Sequence, residues 1–113
     1  CHCHCSLCRR STGAVVVTWI TVRREAFCLL TGTPRIYRSS PKAEQSFCGV
    51  CGTQLTFQRL DLPGEIDITV ASLDAPEHHA PDRHIYASNR VPWLRLDEHL
   101  RAYAEEASPK PAE

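Results

Sequence analysis

The sequence predicts a small, mainly β domain built on zinc knuckles, with a short C-terminal helix. Three observations predict it. Short β-branched and aromatic runs alternate with turn residues, seven cysteines crowd into 113 residues, and a chain of this length can bury only a limited core. A bound metal would supply folding free energy that hydrophobic burial alone does not.

Elements are read in chain order. Ala14–Val22 (AVVVTWITV) is β-branched and reads as a buried strand. Ala26–Leu30 (AFCLL) is a second apolar run, in which Cys28 reads as a small buried hydrophobe. Thr31-Gly32-Thr33-Pro34 closes it as a turn. Arg35–Arg38 alternates like a half-exposed strand, and Ser39–Gln45 reads as a polar loop. Gln54–Gln58 alternates again. Glu65–Ala71 places Ile66, Ile68 and Val70 on one face. Leu73–Pro81 reads as a loop with His78 and His79 solvated and Asp74 capping a turn, and Arg83–Ala87 as a further short strand. Trp19 and Trp93 are expected in the core, the latter as an anchor with Val91 and Pro92. Leu96, Leu100 and Tyr103 carry helical spacing. Residues 1–107 read as one domain and 108–113 as a frayed tail.

Composition excludes several functions. Thirteen Lys and Arg balance thirteen Asp and Glu, so no basic excess points to nucleic acid or to an anionic membrane surface. No apolar run approaches the about 20 residues of a membrane-spanning helix. No charged segment followed by an apolar one opens the sequence, so the cytoplasm is the expected compartment.

The cysteines stand at positions 1, 3, 5, 8, 28, 48 and 51. Disulfides between such close neighbours would close tiny loops and remove little entropy from the unfolded chain. Sulfurs arriving from two separate turns suit a tetrahedral metal, with zinc first among thiophilic ions. Phe47-Cys48-Gly49-Val50-Cys51-Gly52 reads as a metal knuckle whose glycines permit a tight turn after each ligand. Cys5, Cys8, Cys48 and Cys51 could form one closed four-sulfur site. Alternatively, Cys3, Cys5 and Cys8 hold a metal with an open fourth position. A closed site only holds the fold, whereas an open one admits an incoming thiol.

The run Cys3-His4-Cys5-Ser6-Leu7-Cys8-Arg9-Arg10-Ser11-Thr12-Gly13-Ala14 resembles the CHCxxCRxxTGA signature of the glutathione-dependent formaldehyde-activating enzyme family, which includes centromere protein V-like proteins. Phe47–Thr53 is similar to its FCxxCGT knuckle, Val70–Asp74 to its SLD stretch, Pro81–Ile85 to its PxxHI segment and Val91–Trp93 to its late tryptophan. The resemblance implies a zinc-dependent carbon–sulfur lyase that adds glutathione to formaldehyde. It also implies a catalytic zinc on Cys3, Cys5 and Cys8 and a structural zinc that uses Cys48 and Cys51. Full-length relatives carry a further CxC upstream. Its hairpin is not in this sequence, which leaves a sheet edge that a second copy of the chain could cover.

Arg9 and Arg10 are candidates to bind a glutathione carboxylate, or to offset thiolate charge. His84 is a candidate site-lining residue or a hydrogen-bonded structural one. His4 is a candidate partner of a ligand sulfur or a solvent-facing loop residue. Gly13 is expected to allow a turn after the early cysteines. The expected partner is a small thiol or aldehyde. A non-catalytic zinc module with the same fold is the alternative.

Overall fold

A computed structural model describes residues 1–97 and 99–106. The architecture is mainly β, with eight strands and one α-helix among these residues. The chain divides into two compact units, residues 1–18 with 80 onward, and residues 19–79. None of the described helices is long and apolar enough to cross a membrane. The expected tail at 108–113 lies outside the described residues.

The second unit is an antiparallel ladder. Its strands are β3 (Arg35–Ser40), β4 (Ala43–Phe47), β5 (Gln54–Arg59), β6 (Glu65–Thr69) and most of β2 (Val17–Arg23). Each pairs with the next in that order, with Ser46 opposite Thr56, Thr56 opposite Ile68, and Ile68 opposite Ile20. Trp19, Ala43, Ile66 and Val70 are buried in this unit, and Trp19 packs tilted on the Phe57 ring. The end of β3 and the start of β4 replace the loop expected at 39–45, leaving a turn at 41–42. Gln45 and Ser46, on opposite faces of β4, are both buried although no hydrophobic pattern marks them, and each has a side-chain oxygen met by a polar partner. Gln54 donates to the Gln45 carbonyl oxygen at 2.9 Å, and the Ser46 and Thr56 hydroxyls bond each other.

The apolar run at 26–30 forms no strand. It follows a single 3₁₀ turn at Arg24–Ala26, and Cys28, Leu29 and Leu30 are exposed, so Cys28 is not a core residue. His78 and His79 are exposed, as expected.

The first unit is built from shorter pieces. β1 (His2–Cys3) pairs antiparallel with the start of β2, Cys3 lying opposite Val17, and parallel with β7 (Arg83–Ile85). A parallel strand β8 (Arg101–Ala102) follows on β7. This strand stands where a helix was expected. The Tyr103 amide donates to the His84 carbonyl, and those of Tyr86 and Ala87 to Glu105 and Tyr103. These backbone groups therefore bond across strands rather than along a helix, which at such a length is marginal on its own. Trp93 is 71 % exposed and is no core anchor, whereas Trp19 is 5 % exposed.

One helix that periodicity did not mark, α1 (Ser6–Thr12), follows β1 directly. It stops at Gly13, whose φ of 73° is the left-handed C-cap conformation that favours glycine, with its amide bonded to the Arg9 carbonyl.

Candidate metal centre

The end of β1 and the start of α1 together create the site. Cys3 is fixed by β1, and the His4 amide donates to the Ile85 carbonyl at 3.1 Å, which holds the strand exit against β7. Cys5 is the N-cap of α1, and its sulfur accepts the Cys8 amide at 3.3 Å. The sulfur thus takes the role usually played by a serine or aspartate oxygen. Capping geometry brings the N-cap and third helical side chains together, so Cys5 and Cys8 meet. Thr12 and Ser11 donate their hydroxyls to the Cys8 carbonyl, which ties the far end of the turn back to the ligand.

The Sγ atoms of Cys3, Cys5 and Cys8 all lie within 4.8 Å of one another. Three sulfurs at about 2.3 Å from one zinc stand roughly 3.8 Å apart in a tetrahedron, so the separation suits that ion. Cys3 and Cys8 are buried and Cys5 half-buried. Hydrogen bonds from the Cys3 and Cys8 thiols hold the Cys5 thiol far below its ordinary range, and the same bond to Cys5 pushes Cys3 up. One thiolate shared by two thiols is a donor set poised to exchange protons for a thiophilic cation. These residues fit zinc.

Two imidazoles are buried on or just past the strands that position Cys3. His4, between two of the cysteines in sequence, is fully buried rather than solvent-facing, and His84 is 3 % exposed. His4 Nε2 and His84 Nδ1 share a hydrogen bond of 3.0 Å, and His2 stacks on His84 at 5.1 Å. Burial, then the His84 and His2 rings and the Arg90 charge, lower His4 to about 4. Burial lowers His84 too, with Asp97 pulling the other way. Both rings are neutral at pH 7. The strand-like alternation at 83–87 already pointed to His84, but its partner stands 80 residues away and no spacing connects them.

Arg9 is half-buried beside Cys8, and its Nε is shielded without a hydrogen-bond partner among the described residues. Arg10 is exposed.

Cys48 and Cys51 belong to the second unit. They form a tight turn in which the Gly52 amide donates to the Cys48 carbonyl and the Cys48 amide to the Thr53 carbonyl. The Val50 amide reaches the Cys48 sulfur at 3.4 Å. Thr53 lies 3.0 Å from the Cys51 sulfur and, with its hydroxyl donating, lowers that thiol below its ordinary value. Gly52 has the expected positive φ of 78°. Gly49 does not, and a Cβ there would come within 3.2 Å of the Arg35 side chain, so room rather than backbone freedom is what glycine gives at this position.

Fold and site together define a small β protein with a cysteine-rich metal centre. The family model of the glutathione-dependent formaldehyde-activating enzyme matches residues 1–89, and the chain belongs to that family. Comparison with individual curated proteins gives no match. The match and the three-cysteine cluster support a function of this family's type.

Proposed function

We propose that the chain is a zinc-dependent carbon–sulfur lyase that makes and breaks the adduct between a glutathione-like thiol and formaldehyde. The observation that carries this reading is the convergence of three sulfurs, Cys3, Cys5 and Cys8, within 4.8 Å. Three ligands leave the fourth position of a tetrahedral ion for substrate. When bound there, zinc supplies Lewis acidity that favours the thiolate form of a thiol at neutral pH.

The chain's own residues set the rest. The Cys5 cap and the β1 register fix the ligand sulfurs, so little reorganisation accompanies loading. The His4–His84 pair adds a buried, neutral link between the end of β1 and β7, the strands that position Cys3. Arg9 follows Cys8 directly, and its positive charge offsets the thiolate charge of the cluster. In the forward direction the thiol sulfur bonds to the aldehyde carbon, and the thiol proton ends on the former carbonyl oxygen. Cys48 and Cys51 supply two ligands of a structural site. The crowding of cysteines at metal-ligand spacing supports residence in a reducing compartment, the cytoplasm.

Exchange NMR on labelled formaldehyde mixed with glutathione tests this. Zinc-loaded protein should accelerate interconversion of free and adduct formaldehyde, and Cys3→Ser should remove the acceleration while leaving the fold intact. No acceleration by protein with zinc bound would instead leave a non-catalytic zinc module.

A further inference from the structure

Beyond the family match, which ends at residue 89, the chain builds a feature of its own. Residues 90–96 form a turn closed by the Leu94 amide on the Val91 carbonyl at 3.1 Å. The turn puts Arg90 and Arg95 at its two ends and Trp93 near its tip. Together with Pro92, Leu94 and Leu96, these side chains line an open hollow of about 710 Å³. That volume lies within the range of about 300–1,000 Å³ typical of small-molecule sites.

Its chemistry is specific. Both arginines are exposed, and neither guanidinium has a carboxylate partner among the described residues. Trp93 is 71 % exposed, a large aromatic face left in water beside two cations. Guanidinium pairs with carboxylate in a bidentate way, and an indole covers an apolar or peptide-like body at low entropic cost. The hollow follows closely on the strand that holds the cysteine cluster: the Ile85 carbonyl takes the amide of His4, between Cys3 and Cys5, and the Arg90 amide donates to the Ala87 carbonyl two residues on.

We infer that this hollow binds the carboxylate-bearing peptide body of the thiol substrate, with Arg90 and Arg95 holding carboxylates and Trp93 covering the backbone between them. The inference rests on the thiol–aldehyde reading above and adds where, and by which groups, the thiol is recognised. The residues are binding residues, and they follow the matched residues 1–89 in the chain.

The test uses S-methylglutathione, which keeps both carboxylates but cannot react, together with its diethyl ester, which keeps the same peptide body without the carboxylate charge. Binding is followed by NMR at the Trp93 indole N–H, assigned with Trp93→Phe. The diacid should shift this resonance saturably and the ester should bind at least about tenfold more weakly. Arg90→Gln and Arg95→Gln should each weaken the diacid by about tenfold, with unchanged melting temperature. Equal binding of diacid and ester, an unmoved indole resonance, or wild-type affinity in both variants would overturn the inference. So would an equal response to inorganic phosphate, which would mark a site for any anion. The two readings fail separately. Saturable binding without adduct chemistry defeats the lyase reading and keeps the hollow, whereas full activity with unchanged KM in both variants does the reverse.

Discussion

The two units reach order by different means. Residues 19–79 bury Trp19, Ile66, Val70 and Ala43 under a five-strand ladder, with polar partners at Ser46, Thr69 and the Gln45 side-chain oxygen, while Gln45 Nε2 has none among the described residues. In the first unit the buried residues among those described are Cys3, Cys8, His4 and His84, with Val17 and Ala87 as hydrocarbon. Its strands β1, β7 and β8 are two or three residues long. A hydrocarbon core stabilises through area removed from water. An interior of sulfurs and imidazoles gains little that way and depends on what the sulfurs hold. The residues that could hold a metal and those that form the interior are therefore largely the same in the first unit, whereas Cys48 and Cys51 stand apart from the hydrocarbon core of the second.

The largest expected effect follows directly. Stripping zinc with a chelator should abolish hydrogen-exchange protection at β1, β7 and β8 amides while those of β4, β5 and β6 stay protected. Equal loss in both units, or in neither, would end the distinction. Next in size, Trp19→Ala should cost about 3–5 kcal/mol in denaturant unfolding, as deletion of a buried aromatic does, because Phe57 loses its ring partner. A smaller drop in thermal midpoint is expected for Cys48→Ser, and saturating chelator should erase the difference from wild type. An unchanged difference would show that Cys48 acts through packing and not through metal.

A pH effect sharpens the contrast. Burial holds His84 below 6.5 and His4 at about 4, so the unfolded chain binds protons that the folded one refuses. This contribution is complete above about pH 6.5 and is lost as the pH falls toward 4. In zinc-loaded protein, the fall in stability over that window should be shallower in His84→Asn than in wild type, and an unaltered slope would remove the imidazole pair from the account. Smallest of all, Gly13→Ala should cost about 1 kcal/mol, since nothing obstructs the added methyl and only the left-handed backbone resists it.

Legibility in the sequence follows the same divide. Strands β2, β5 and β6 could be read because Trp19, Phe57, Ile66 and Ile68 alternate with polar residues. Strand β4 could not, because Gln45 and Ser46 are both buried and only their partners on β5 make that affordable. Alternation also found β7, but the C-terminal helix failed because the amides near Tyr103 bond to β7, a long-range choice invisible in local spacing. The exposed Leu29 and Leu30 show the converse error, an apolar run with nothing above it. At the site, cysteine spacing left two ligand sets open, and the grouping of Cys3, Cys5 and Cys8 was what the family resemblance implied. The burial of His4 was hidden, since its partner His84 arrives from the far end of the chain.

Zinc-edge X-ray absorption on the Cys48→Ser, Cys51→Ser double variant tests the central claim most directly. With the late pair removed, the bound metal should show three sulfurs at about 2.3 Å and one lighter ligand. Two sulfurs, or no bound zinc, would contradict the assignment of Cys3, Cys5 and Cys8 to one open centre.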